Sequence, residues 1–372
     1  MGRRNILVTG GCGFIGKALS LGLVAGGHRV RVLDNLSVQV HGPNPDLAWL
    51  EAHAIDLIKG SVCDPTACDT AVAGMDCVVH LAAETGTGQS MYELRRCVDV
   101  NATGTATVLE ACCKACVKKF VLSSSRAIFG EGLWNCAVCG PVHPGIRVLR
   151  RTTGVGWNPT CPRCGSPAES MLPTPEDTDP QPVSVYGMTK LAQEQLVTLV
   201  RNNTGMDVAI LRFFNVFGPG QSLRNAYTGV LGVFVNRARA GRHIDVYEDG
   251  NILRDFVHID DVVDATKKAI GLEGPVTCNI GSGKSVSIGD AAREIIALCR
   301  SDSEITLTGK TRAGDVRGLV ADIAAARKAL GWEPRVDFRA GLETFVRWAL
   351  ASEYEDHYDE SLKELSSRGL YH

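Results

Sequence analysis

Short apolar runs alternate with helical patterns through the first 215 residues. The runs Ile6–Thr9, Arg29–Leu33, Asp56–Lys59, Cys77–His80, Lys119–Ser123 and Val208–Arg212 read as strands. Gly16–Ala25 and Asn101–Cys116, among the stretches between them, read as helices. Strand–helix alternation at this spacing predicts an α/β fold with a doubly wound parallel sheet. Its right-handed crossovers put helices on both faces. Residues 131–182 break the pattern with Gly, Pro and Cys and no clear period, so they read as a functional or independently stabilised insert. From about 213 the chain turns to short mixed strands, turns and two further helices. The expected organisation is a first domain over 1–212 holding the insert, a smaller interleaved lobe over 213–350, and a tail over 351–372.

The 372 residues are 45% hydrophobic, which suits two domains or one large domain with a lobe. A formal net charge of −2 gives no bulk pull toward nucleic acid or an anionic membrane. No run approaches the ~18 apolar residues of a membrane helix, and the short run Ile6–Val8 is no signal peptide. The expected compartment is the cytoplasm, where fourteen cysteines are not expected to form disulfides.

The first strand runs into Thr9-Gly10-Gly11-Cys12-Gly13-Phe14-Ile15-Gly16, which opens the first helix. Glycines at 10, 13 and 16 permit a tight turn and let a pyrophosphate approach the helix N-terminus. A glycine-rich turn alone is weak evidence, and its strand–turn–helix context strengthens it. Asp34 ends the second strand 24 residues after Gly10, where a carboxylate accepts ribose hydroxyls and repels a 2′-phosphate. The expected cofactor is therefore NAD rather than NADP.

Tyr186-Gly187-Met188-Thr189-Lys190 puts a phenol and an ammonium on one helix face. A phenol of pKa near 10 is a poor base at neutral pH, but neighbouring cations favour its ionised form. Tyr186 is the expected proton acceptor, with Lys190 supporting it and holding the nicotinamide ribose.

Cys136-Ala137-Val138-Cys139-Gly140 and Cys161-Pro162-Arg163-Cys164-Gly165 form C-x2-C-x21-C-x2-C. Two such knuckles make a tetrahedral thiolate site, expected to hold zinc, with a rubredoxin-like iron site as the minor alternative. Four thiolates leave no open position, so the metal is expected to be structural. Arg147, Arg150, Arg151 and Arg163 make the insert basic, which raises nucleic-acid binding as a competing reading. The net charge and the catalytic set weigh against it; a lid or a dimer contact is expected.

Together these motifs resemble the extended short-chain dehydrogenase/reductase family over nearly the whole chain to about residue 350. The resemblance implies a Rossmann-type sheet and cofactor contacts from Phe14, Ile15 and the Asp34-Asn35 strand end. It extends them to Ser61 and Val62 (Ser61 standing where the family usually has Asp), to Leu81, Ala82 and Ala83 after His80, and to Asn101. Ser125, closing the Ser123-Ser124-Ser125 run, resembles the third catalytic member. Asn215 and Arg254 resemble diphosphate ligands, Arg312 a phosphate ligand, Asp315 a ribose ligand and Tyr247 a base-stacking residue. In the family's 4,6-dehydratases an Asp-Glu pair follows the catalytic hydroxyl, and in its decarboxylases often Ser-Glu. Here Arg126-Ala127 follows, so the resemblance implies oxidation and re-reduction at one carbon: a nucleotide-sugar 4-epimerase.

Thr85–Tyr92 and Asn225–Val230 are similar to the dTDP-L-rhamnose 4-epimerase subfamily, which is also similar in carrying a cysteine-rich insert. The expected substrate is a nucleotide sugar, with Thr85 among its contacts. A UDP-sugar 4-epimerase, a nucleotide-sugar dehydrogenase or reductase, and a non-catalytic NAD-binding scaffold are the alternatives. The resemblance further implies a homodimer, built on the helices carrying Asn101–Cys116 and Tyr186–Val200.

Overall fold

The computed structural model describes residues 2–147, 156–224 and 229–371. Seven parallel strands form the central sheet: β1 (Asn5–Thr9), β2 (Arg29–Asp34), β3 (Asp56–Lys59), β4 (Cys77–His80), β5 (Lys119–Ser125), β6 (Asp207–Phe213) and β7 (Val276–Ile280). Their order is β7-β6-β5-β4-β1-β2-β3. The order reverses between β4 and β1, which opens a crevice at the carboxyl ends of the strands. The inner strands β1, β4, β5 and β6 are buried almost throughout because both faces are covered, whereas the edge strand β3 is partly exposed. Ile6 and Val8 enter one core with α1 (Phe14–Ala25), while Leu7 points into the other.

The six expected strands form as read, within two residues at each end. The seventh, β7, comes from the later part of the chain and pairs with β6 in register Ala209↔Val276 through Phe213↔Ile280. The helix expected at Asn101–Cys116 starts earlier. Leu94–Val98 is α-helical, Asp99–Thr103 is a π-type turn, and α2 (Gly104–Lys114) follows. Such π turns are often found at functional sites. The Tyr-x-x-x-Lys segment opens α3 (Val185–Thr204), whose first turn is capped by the Ser184 hydroxyl accepting from Gly187 N.

The insert is more regular than its sequence implies. Trp134–Cys136, Gly140–Val142 and Ser170–Met171 form a small antiparallel sheet around Trp134, Cys136, Val142, Cys161 and Ala168. Within the 351–372 tail, over its described residues, α4 (Tyr358–Ser367) forms and Tyr371 bridges Arg312. No helix among the described residues is long and apolar enough to cross a membrane.

Candidate active site

One cleft of about 630 Å³ runs along the carboxyl ends of the sheet, between the glycine turn and the later lobe. All the expected cofactor, catalytic and substrate residues line it except Asn101. Gly10 has φ +65°, and a Cβ there would meet Ala82 N at 2.8 Å; one at Gly16 would strike Gly10 O at 2.2 Å. The turn therefore requires glycine at both positions. Gly13 keeps clear space beside the start of α1, where only Gly10 O, at 3.3 Å, would meet a Cβ. That open backbone at a helix N-terminus fits a pyrophosphate.

Asp34 is almost fully buried and accepts from Cys12 N and Leu36 N, both at 2.9 Å. Burial works to raise its pKa, but His41 and these two amides outweigh it and hold the carboxyl below its usual range. A carboxylate held in its ionised form thus lines the cleft at the end of β2. The Ser61 hydroxyl is partly used within its own turn, accepting from Cys63 N at 3.1 Å.

Asn101 departs from the expectation. Both ends of its buried amide are engaged by protein: Oδ1 accepts from Glu84 N at 2.8 Å, and Nδ2 donates to Glu84 O at 3.0 Å and Thr189 Oγ1 at 2.9 Å. It fixes the Glu84 loop to α3 from behind the cleft. His80 does similar work, bonding Thr9 Oγ1 at 2.8 Å and Thr105 Oγ1 at 3.0 Å.

Ser125, Tyr186 and Lys190 converge in the middle of the cleft. Lys190 is buried and donates to Ser123 O at 2.8 Å, with Nζ 6.0 Å from the Tyr186 ring centre. Burial lowers its pKa to about 8. Burial raises that of Tyr186, and the Ser125 hydroxyl and the Arg126 guanidinium pull it back. Glu194 takes Arg212 in a two-point pair at 3.0 and 2.9 Å and accepts from Ser124, which locks α3 onto β5 and β6. Tyr186 N donates to Ser90 Oγ at 3.1 Å, so the Thr85–Tyr92 loop sets the entry of α3.

The later lobe supplies the other end. Arg312 clasps Asp315 at 3.1 and 2.9 Å. Arg254 bonds only Leu253 O, at 2.9 Å, among the described residues. Asn215 Oδ1 is buried without a hydrogen-bond partner among them. Tyr247 lies 5.3 Å from the Tyr371 ring. Arg126, Tyr358, Ser361 and Leu365 also line the cleft and were not anticipated as site residues. The last three lie in a helix that the sequence pattern left as a tail. Residues 225–228 of the second subfamily-like stretch, and Arg150 and Arg151, lie outside the described residues.

Away from the cleft, the sulfurs of Cys136, Cys139, Cys161 and Cys164 all lie within 4.8 Å of one another. Cys136 and Cys164 are 3.6 Å apart. Thiolates at ~2.3 Å around a tetrahedral zinc sit about 3.8 Å apart, so the donor set fits that ion. Gly140 and Gly165 follow the two pairs with φ +69° and +75°, the left-handed turn that closes each knuckle.

Residues 6–144 and 159–281 match the NAD dependent epimerase/dehydratase family model. A dTDP-L-rhamnose 4-epimerase of Burkholderia thailandensis is 41% identical over 93% of this chain and 94% of its own length. A solved UDP-glucose 4-epimerase of Thermotoga maritima with UDP-glucose superposes with TM-score 0.76 at 28% identity, covering 93% of this chain and 99% of that one. MoeE5 in complex with UDP-glucuronic acid and NAD superposes at 0.75, also at 28% identity, covering 94% and 100%. The chain belongs to the NAD-dependent epimerase/dehydratase family of enzymes.

Proposed function

We propose that this chain is an NAD-dependent nucleotide-sugar 4-epimerase, and that its substrate pair is dTDP-L-rhamnose and dTDP-6-deoxy-L-talose. The observation that carries the reaction type is the absence of a free carboxylate beside Ser125 and Tyr186 among the described residues. Arg126-Ala127 follows Ser125. The acids lining the cleft are each occupied: Asp34 by backbone amides, Glu84 by Arg96 at 2.9 Å, Asp245 by Tyr358 at 3.2 Å and Asp315 by Arg312. A dehydratase or decarboxylase needs proton transfer at a further sugar carbon, and among the described residues lining the cleft no acid is left free for it.

NAD fits the cleft and, when bound, supplies reversible hydride chemistry. Gly10, Gly13 and Gly16 leave room for its pyrophosphate, and Asp34 takes its adenosine ribose. Tyr186 accepts the proton of the sugar 4-hydroxyl and returns it, while Ser125 holds the same oxygen. The Lys190 ammonium supports the phenolate. Asn215, Arg254 and Arg312 face the diphosphate, and Asp315 and Tyr247 face the nucleoside.

The rhamnose assignment is supported by the 41% identical relative and by Thr85, Gly86 and Thr87 lining the cleft. UDP sugars are the second reading, favoured by the ligands of the structural neighbours. The four-cysteine knuckle is assigned a structural zinc. A cytoplasmic homodimer through α2 and α3 is expected, on which Met188 and Leu199 expose apolar side chains. Incubating the protein with a panel of dTDP and UDP sugars and identifying products by NMR tests the reading. A C4 epimer from dTDP-L-rhamnose supports it; conversion of UDP-glucose alone replaces the substrate, and no epimer from any sugar refutes it.

A further inference from the structure

The residue after the catalytic hydroxyl does more than mark a missing carboxylate. Arg126 begins a short helical turn, Arg126–Phe129, is half-buried and lines the cleft. Its guanidinium forms no hydrogen bond or ion pair among the described residues. Most buried arginines are paired with acids, Arg212 with Glu194, Arg312 with Asp315, Arg317 with Glu248 and Asp249, and Arg237 with Asp359, whereas Arg254 bonds only a backbone carbonyl. Arg126 lies close enough to Arg254 and Tyr186 to interact with both. Burial, and then the Arg254 charge, push its pKa down to about 9. Asp315, whose charge also reaches Arg126, is already held by Arg312 at two points.

Two guanidinium groups lining one cleft, neither hydrogen-bonded to a carboxylate among the described residues, make a site for an anion brought by a ligand. A guanidinium binds phosphate oxygens through parallel N–H donors and is the side chain suited to that geometry. Because Arg126 follows Ser125 in sequence and lines the cleft within electrostatic reach of Tyr186, the anion it meets lies at the sugar end of the diphosphate rather than the nucleoside end. Resting on the nucleotide-sugar reading above, we propose that Arg126 is a substrate-anchoring residue: it holds the phosphate that carries the sugar, jointly with Arg254, and thereby sets the reach of the sugar toward Tyr186.

The test compares dTDP with dTMP, and UDP with UMP, by calorimetry on wild-type protein and Arg126→Met. The monophosphates lack the phosphate in question. The variant should weaken diphosphate binding by about 10–100-fold while monophosphate affinity stays within about twofold. Arg126→Lys, a point charge without the fork, should lie between. Bound NAD and melting temperature should match wild type; if Arg126→Met fails to fold, Arg126→Gln takes its place. An unchanged diphosphate-to-monophosphate ratio overturns the assignment, whether or not nucleotide-sugar binding falls. A wild-type protein that binds neither diphosphate refutes the nucleotide-sugar reading and Arg126 with it, whereas normal wild-type binding with an unchanged variant ratio refutes Arg126 alone.

Discussion

Arg147 Nη2 lies 2.7 Å from Glu248 Oε1, a buried ion pair that ties the cysteine insert to the turn beside Tyr247. The same guanidinium reaches Glu131 at 3.1 Å and donates to Trp157 O at 3.1 Å. Glu248 and Asp249 share Arg317, and Arg317 Nε meets Asn158 Oδ1 at 3.2 Å, while Asn158 donates to Ala168 O at 3.0 Å in the knuckle. The insert is therefore joined by charge to the turn beside Tyr247, a residue that lines the cleft. It does not touch Ser125 or Tyr186 through this network.

That connection predicts the effect of cutting it. Arg147→Met leaves Glu131 facing an uncompensated buried position, which typically costs about 3–5 kcal/mol. Thermal unfolding should show the loss. Nucleotide-sugar KM should rise, with kcat and bound NAD little changed. A variant as stable as wild type would show that the network carries no weight.

The knuckle itself should hold one zinc per chain. Cys161→Ser should release the metal and loosen the Trp134–Met171 sheet while the seven-stranded core persists. Elemental analysis and circular dichroism report these separately. Absence of zinc and iron in protein purified without chelator contradicts the metal assignment, and loss of bound NAD would place the insert in the core's support.

Asp34 should select NAD. Its carboxylate would face a phosphate dianion in NADP, and like charges at such range cost several kcal/mol, so NAD should bind more than about tenfold tighter. Asp34→Ser should narrow the gap, because His41 Nε2, now 3.5 Å from the carboxylate, remains. Titration of apo protein with both cofactors checks this; equal affinities in the wild type contradict it.

His80 gives a pH prediction. Burial, followed by the Lys190 charge, pushes its pKa from 6.5 down to about 3. Below pH 6.5 the unfolded chain takes up a proton that the folded chain refuses. Stability from His80 is thus complete above 6.5 and lost as pH falls toward 3, at about 1.4 kcal/mol per unit. Urea unfolding between pH 6.5 and 5 should be steeper in wild type than in His80→Gln. Parallel curves would count against a neutral buried imidazole.

Much of the fold was legible because most of the first six strands are buried apolar runs bounded by glycines and helices; β3, at the sheet edge, is partly exposed. Val276–Ile280 was not, since it follows a long stretch of the later lobe; only its pairing with β6 makes it a sheet strand. The catalytic and glycine motifs could be read because their spacing is local. Asn101 was read as a cofactor contact because it resembles a family asparagine, whereas the π turn places its amide on Glu84 and Thr189. Arg126 and the Arg147 network depend on contacts between segments far apart in sequence, and no local pattern carries those.

Tyr186→Phe should retain fold and NAD and lose about 10²–10⁴-fold in rate, since only the proton acceptor is removed. A variant within threefold of wild type would refute its role.

The most direct test of the central claim is NMR of dTDP-L-rhamnose incubated with the protein in D2O without added cofactor. Transient oxidation at C4 predicts a mixture of C4 epimers that keeps protium at every carbon, with no net NADH. Deuterium entering C3, C5 or C6, or stoichiometric NADH with no epimer, would contradict the account.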